Sequence, residues 1–310
     1  MSELPAGLTV RAPRPDDAEA IYRLMAAYHT RVIGRPDATL AEVAEALSLS
    51  TFEPEEHGWL VLDDAGTPVN YSHLRFGGSG RHAQVAIASV DSPGSAWLLD
   101  KGVQQARKQL GAGGVVEIGS HRADKLLAEL VTAAGFTLST TYYRMRIDHT
   151  GPVAVPEPPA GTALRTAADG EEARRAIHAV MTAAFADQES EAVRPYDDWV
   201  DVHEKRATAD WSQVTLVELD GRPAAASDCN QMFVELENCG YVGRLGVIPE
   251  ARGRGLAKYL LRHAFAVDAA AGLDGTLLHV DTNNPTAALK LYESVGMRPV
   301  QTADLWELPL

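Results

Sequence analysis

Apolar positions recur at two periods along this chain, and the periods alternate. Short strand-like runs at Val10-Arg11-Ala12 and Leu164-Arg165-Thr166 are each followed by acidic residues, Asp16-Asp17 and Asp169. Helical patterns then run from Ala18 to Tyr28 and from Ala173 to Phe185, so each start reads as a strand leading into a capped helix. Trp59-Leu60-Val61-Leu62 ends in Asp63-Asp64-Ala65-Gly66 with Pro68 beyond, and Val214 to Leu219 ends in Asp220-Gly221 with Pro223 beyond. Both predict hairpins closed by acidic-glycine turns. Further on, Tyr241 to Ile248 predicts a strand, and Leu256, Leu260, Ala264 and Val267 mark one face of a helix. Ala133-Ala134-Gly135-Phe136 and Ser294-Val295-Gly296-Met297 each close a helix and precede a final strand.

These matches make a repeat. Arg11 and Arg165 are 154 residues apart, Pro68 and Pro223 155, Gly135 and Gly296 161. A slowly drifting offset is what duplication followed by small insertions leaves, and a solenoid would repeat over far fewer residues. Between the copies, Gly151 to Gly161 carries prolines at 152, 156, 158 and 159. Proline lacks an N–H and fixes φ, so this stretch forms neither helix nor paired strand. The expected organisation is a domain over 1–150, a linker over 151–161 and a second domain over 162–310.

Composition narrows the class. With 45% hydrophobic and 6% aromatic residues in 310, the chain has an ordinary globular balance and the length for two domains. No apolar run approaches the roughly 18 residues of a membrane span. The start, Met1-Ser2-Glu3-Leu4-Pro5, lacks the basic and apolar stretches of a secretory signal, and Cys229 and Cys239 are the only cysteines; a cytoplasmic location is expected. No metal is expected, since no His pair has zincin spacing and a Cys-rich zinc site is excluded. A net charge of −14 disfavours nucleic acid and anionic membranes as partners and admits cationic small molecules.

The stretch that carries chemistry is Leu245-Gly246-Val247-Ile248-Pro249-Glu250-Ala251-Arg252-Gly253-Arg254-Gly255-Leu256-Ala257. Strand, glycine-rich loop and helix follow one another. Gly253 and Gly255 permit a tight turn and close backbone approach. The helix's first amides then face outward and, with the helix dipole, suit a pyrophosphate. Arg252 and Arg254 add fixed positive charge. An ordinary glycine-rich turn would explain the glycines alone, but not the arginines in so acidic a chain.

Arg252 to Ala257 resembles the pyrophosphate-binding loop of the GNAT superfamily of N-acetyltransferases. The preceding Leu245-Gly246-Val247 resembles that family's fourth strand, which pairs with the pantetheine arm. Leu277 to Met297, ending in Tyr292-Glu293-Ser294-Val295-Gly296-Met297, resembles its fifth strand and following helix, with Met297 where phenylalanine is usual. The resemblance covers about 165 to 310. It implies two tandem GNAT-like α/β domains, each a mixed, mostly antiparallel central sheet flanked by helices, with acetyl-CoA as co-substrate. It assigns cofactor contacts to Leu245, Gly246, Val247, Arg252, Gly253, Arg254, Gly255, Leu256, Ala257, Asn284 and Tyr292. Tyr292 is also the implied general acid for the leaving thiolate, although a core tyrosine would satisfy the pattern too. Asn284 is equally a helix cap before Pro285.

The first copy lacks this chemistry. Asp91-Ser92-Pro93-Gly94-Ser95-Ala96-Trp97 stands where the loop should be, and Val131 aligns with Tyr292. That half is therefore expected to be catalytically silent. A general base is not evident. Tyr241, Gly243 and Leu245 are expected on one face of the strand and none is acidic. Asp228, Glu235, Glu237 and Asp281 are the candidate acids for acceptor binding or proton removal, each also readable as a solvated or structural acid. Between Asp187 and Glu237 there are thirteen Asp or Glu against four Lys or Arg, which suits a cationic amine or merely marks a solvated face. The expected activity is acetyl transfer to a primary amine of a small, cationic molecule by direct attack on the thioester. A protein N-terminal or lysine acetyltransferase, or a non-catalytic acyl-CoA-binding regulator, are the alternatives. A monomer that is a pseudo-dimer of domains, or a homodimer, fits the repeat.

Overall fold

The structure is a computed structural model, and it describes residues 2–49, 52–77, 80–89, 94–186, 193–206, 208–284 and 288–310. The chain divides into two compact units. The first holds Met1–Tyr142, Asp281–Asn283 and Gln301–Leu310; the second holds Tyr143–Val280 and Asn284–Val300. The halves 1–150 and 162–310 expected from the sequence do not coincide with these units.

In chain order the first half contributes β1 (Thr9–Arg11), α1 (Ala18–Ile33), α2 (Leu40–Ser48), α3 (Pro54–His57), β2 (Gly58–Leu62), β3 (Pro68–Phe76), β4 (His82–Ser89), α4 (Ser95–Leu110), β5 (Val115–His121), α5 (Lys125–Ala133) and β6 (Thr137–Asp148). The second half contributes β7 (Thr162–Thr166), α6 (Glu171–Ala184), α7 (Tyr196–Lys205), β8 (Ala209–Leu219), β9 (Arg222–Asn230), α8 (Val234–Glu237), β10 (Cys239–Val247), α9 (Leu256–Ala270), β11 (Gly275–Asp281), α10 (Ala288–Ser294) and β12 (Arg298–Pro309). The hairpins, first helices and closing glycines form as the sequence predicts, and Gly151–Gly161 carries neither helix nor strand.

The first unit's sheet runs β1-β2-β3-β4-β5-β12-β6. There β4 and β5 pair in parallel, while the hairpin pairs and β5–β12 are antiparallel. The last strand belongs here because Ala303–Pro309 pairs with Val115–His121, and Trp306, Leu308 and Leu310 pack on this unit's core around Leu74, Leu98, Leu99 and Ile118. Arg122 adds an ion pair to Asp304 at 2.5 Å. Alternation alone cannot tell a strand which sheet it will join, so this exchange is invisible to periodicity.

In the second unit the order is β6-β11-β10-β9-β8-β7. Its layers are pinned on one face by α6, through Ile177, Val180 and Met181. On the other face α9 packs Leu256, Tyr259 and Leu260 against Val217 and Ala225. Helix α9 departs from its expected face at one position: Val267 is 40% exposed, and Leu261 and Phe265 are buried instead.

Candidate functional site

Helix α9 begins at a turn that only glycine adopts without strain. Gly253 has φ 76° and Gly255 φ 79°, in the left-handed region where a Cβ is penalised. Gly255 is the helix N-cap, and no side chain caps the first amides. Arg252, Gly253, Arg254 and Gly255 are all exposed. Around Gly253 and Gly255 a Cβ would meet nothing within 4 Å, so the loop has room for a ligand to lie against its backbone. Leu256, 1% exposed, anchors the helix beneath, and Ala257 is half-buried beside it. Arg252 is braced by its Nε on the Val247 carbonyl at 3.3 Å and its Nη2 on that of Ala184 at 3.4 Å. Outward amides, a helix dipole and two exposed guanidinium groups fit a pyrophosphate such as that of coenzyme A.

Beside this loop two parallel strands part. The β10–β11 ladder registers Cys239–Val242 with Gly275–Leu278, and both strands run on beyond it without pairing to each other. Here β10 also carries a bulge, its register with β9 shifting between Val242 and Arg244. One extra residue inverts the alternation downstream. Tyr241, Gly243 and Leu245 therefore do not share a face. Leu245 joins Val242 in the cluster of Leu261, Phe265 and Leu278, while Tyr241 packs with Phe233 and Leu277. Gly246 is buried against α6, where a Cβ would stand 2.8 Å from that of Ala184; Val247 packs towards α9. Arg244 lies with its guanidinium carbon 5.5 Å from the Phe185 ring centre. Bulge, wedge and glycine loop thus come together in one unit.

Tyr292, on α10, packs against the same cluster as Leu245. Burial pushes its phenol up to about 12, so it is protonated at neutral pH, the form that donates. Asn284 is half-buried; Pro285, Thr286 and Ala287, which follow it, lie outside the described residues, as does the start of the expected cap.

The four candidate acids separate. Asp228, on β9 opposite Arg244, is raised above the usual carboxylate range by burial, against the opposing pull of Arg206, Trp199 and Arg244. Glu235 is exposed on α8. Glu237 is bound by Arg144 at 3.0 Å through Oε1 and by Arg146 at 3.3 Å through Oε2, so both of its oxygens are held in ion pairs. Asp281 belongs to the first unit, where it accepts from the Thr140 hydroxyl and, at 2.8 Å, from the Asn283 amide. Of the acidic run, residues 187–192 and 207 lie outside the described residues. Several of the rest are paired: Asp201 with Lys205, Glu204 with Arg174, Glu218 with Arg165. Sequence reasoning missed Arg144, Tyr241 and His279, which meet on the face opposite α9; their one signal was polar residues in otherwise apolar strands.

Residues 174–297 match the acetyltransferase (GNAT) family, and these span α6, the bulged β10, the glycine loop, α9, β11 and α10. Over that stretch the chain is similar to a GNAT acetyltransferase domain. A mycothiol acetyltransferase of Thermobispora bispora is 32% identical over 189 residues, 58% of this chain and 61% of that protein. The chain thus matches less than two thirds of that relative's length. A GCN5-related N-acetyltransferase from Sphaerobacter thermophilus has the same fold, with a TM-score of 0.83 at 24% identity over 99% of this chain and 96% of that one. So does a tandem GNAT protein from the clavulanic acid biosynthesis pathway, with a TM-score of 0.75 at 16% identity over 97% and 98%. Enzymes of that family use acetyl-CoA as co-substrate. No helix among the described residues is long and apolar enough to cross a membrane.

Proposed function

We propose that this protein is an N-acetyltransferase that moves an acetyl group from acetyl-CoA to a primary amine of a small molecule, using the second unit alone. The observation that carries the reading is the open glycine loop at the start of α9 beside a bulged, parting strand pair. Acetyl-CoA would supply an activated acyl group with a good leaving thiolate. The Gly255–Ala257 amides, with Arg252 and Arg254, would hold its pyrophosphate. The β11 side of β10 beyond Val242, outside their ladder, would take its arm, and an amide of Leu245 to Val247 would polarise the acyl carbonyl. Tyr292 would deliver a proton to the departing sulfur. The amine must attack as a free base and lose one proton to the medium as the amide forms.

The test is thiol release from acetyl-CoA across a panel of small amines, with Gly255→Val as control. Amine-dependent release that this variant loses supports the reading. Release with protein N-termini or lysines but no small amine, or binding without any turnover, would replace it with the corresponding alternative.

A cationic acceptor is the finer form of this reading. It rests on the net charge of −14 and on Asp228 beside the bulge in β10. If it holds, kcat/KM for a dicationic amine falls as salt shortens the Debye length from about 10 Å at 0.1 M to about 3 Å at 1 M. Salt-independent kinetics would remove it.

A further inference from the structure

On the face of β10 and β11 away from α9, one hydrogen-bonded chain crosses the mouth of the wedge. Tyr241 Oη lies 2.9 Å from His279 Nδ1. His279 follows Leu278, the last residue of β11 in the ladder with β10. Its other nitrogen, Nε2, accepts from Arg144 Nε at 3.1 Å. Arg144 Nη1 in turn donates to Glu237 Oε1 at 3.0 Å. The Arg144 and Glu237 side chains are 6% and 8% exposed, and the guanidinium also lies over the Phe233 ring, 4.5 Å from its centre. Phe233 packs edge-on against Tyr241, with ring centres 5.1 Å apart.

This arrangement settles a tautomer. Arginine is always a donor, so His279 Nε2 must carry a lone pair. In the neutral ring the proton then sits on Nδ1 and is given to the Tyr241 oxygen. A buried ion pair costs desolvation and is weak evidence for stability; here it holds a guanidinium at one angle, which fixes an imidazole, which aims a phenol. Among the four acids expected to handle the amine, none joins this chain except Glu237, and it sits at the far end.

We propose that Tyr241 is the residue that receives and orients the acceptor amine, with His279 and Arg144 as positioning residues that act through it. This rests on the acetyltransferase reading above. An attacking amine must turn its lone pair to the acyl carbon, so its N–H bonds need a fixed partner on the side it comes from. Because α9 and the cofactor loop before it take up one face of these strands, the proposal brings the amine to the other, where Tyr241 is the oriented hydroxyl.

The experiment is steady-state kinetics with acetyl-CoA and an amine taken from the panel. Tyr241→Phe removes one oxygen and is expected to lower kcat/KM for the amine about 10- to 100-fold while leaving half-saturation by acetyl-CoA and the unfolding midpoint unchanged. His279→Phe should cost as much, and His279→Asn, whose amide N–H stands near Nδ1, should recover most of it. Tyr241→Phe combined with His279→Phe should lose no more than either alone, as coupled residues do. Normal amine kinetics in Tyr241→Phe, or additive losses in the double variant, would overturn the proposal and leave the chain as packing between strands. A wild-type protein that acetylates no amine would overturn the acetyltransferase reading and this proposal together, so the two failures are distinguishable.

Discussion

Each unit starts the helix that joins its parting strands with a left-handed glycine: Gly94 at φ 91° before α4, Gly255 at φ 79° before α9. The backbone solution is the same, but what lies against it differs. Gly94 is buried, and a Cβ there would stand 2.9 Å from Asn70 Nδ2 and 3.6 Å from Leu8 Cδ1. Gly255 is exposed with nothing within 4 Å of that point. The helices after the wedges also end alike: Phe136 N bonds to the Val131 carbonyl at 3.0 Å, and Met297 N to that of Tyr292 at 3.1 Å. Val131 and Tyr292 thus occupy one structural position, and only one of them has a proton to give. The strands part in both units, after Gln84 and Glu117 in the first. There the gap is a cavity of about 190 Å³ lined by Tyr71, His73, His121 and Ile87 among others, along a β4 paired to β3 without any bulge. The comparison teaches that a duplicated fold keeps its turns and caps, which backbone geometry demands, while the chemistry depends on the side chains that surround them.

The sharpest way to break this contrast is to block the open glycine. Gly255→Val places a branched side chain where a pyrophosphate would lie and should abolish acetyl-CoA binding by calorimetry, whereas wild-type protein should bind one equivalent per chain. Two equal sites, or undiminished binding by the variant, would erase the difference between the units. Next in size is Tyr292→Phe, expected to lower kcat about 10²–10⁴-fold with acetyl-CoA affinity nearly unchanged. Because burial holds that phenol up at about 12, its loss as a donor should not appear below about pH 10. A variant with normal kcat would show that the thiolate leaves unaided or takes its proton elsewhere.

A smaller effect tests the helices rather than the loops. Asp268 on α9 is buried, accepts from the Thr276 hydroxyl, and is raised by burial to about 6; the matching position of α4 is the exposed Arg107. A carboxyl whose native value lies above its unfolded value favours the folded state while protonated. That advantage disappears as pH rises through the interval from about 4 to about 6. Asp268→Asn keeps an acceptor without the charge, so it should be more stable than wild type by about 1–2 kcal/mol at pH 7.5 and equal to it near pH 4. A denaturant midpoint difference that is the same at both pH values would show that the carboxyl is not desolvated as described. The smallest expected change is Ala96→Lys at the exposed start of α4: if the first unit is silent, turnover in the second stays within twofold. Lost activity in a folded variant would mean the first unit takes part.

Much of this protein was legible before folding. Strands, helices and turns follow from apolar periodicity, and the glycines at 135, 253, 255 and 296 mark left-handed positions because only they tolerate them at no cost. The loop from Arg252 to Gly255 was legible for the same local reason, since its chemistry lies within a few consecutive residues. Tertiary structure decided the rest. One bulge at Gly243 moved Leu245 to the other face, which no count of alternating residues reveals, because a bulge is fixed by what pairs across the ladder. Glu237 looked available until Arg144 and Arg146 of β6, about ninety residues away in sequence, claimed it. Tyr241 and His279 gained meaning only when β10 and β11 brought them to 2.9 Å. The last strand reads as the second copy's own, yet its Ala303–Pro309 pairs with β5 of the first unit, because alternation specifies that a strand will form and buried partners specify where it goes.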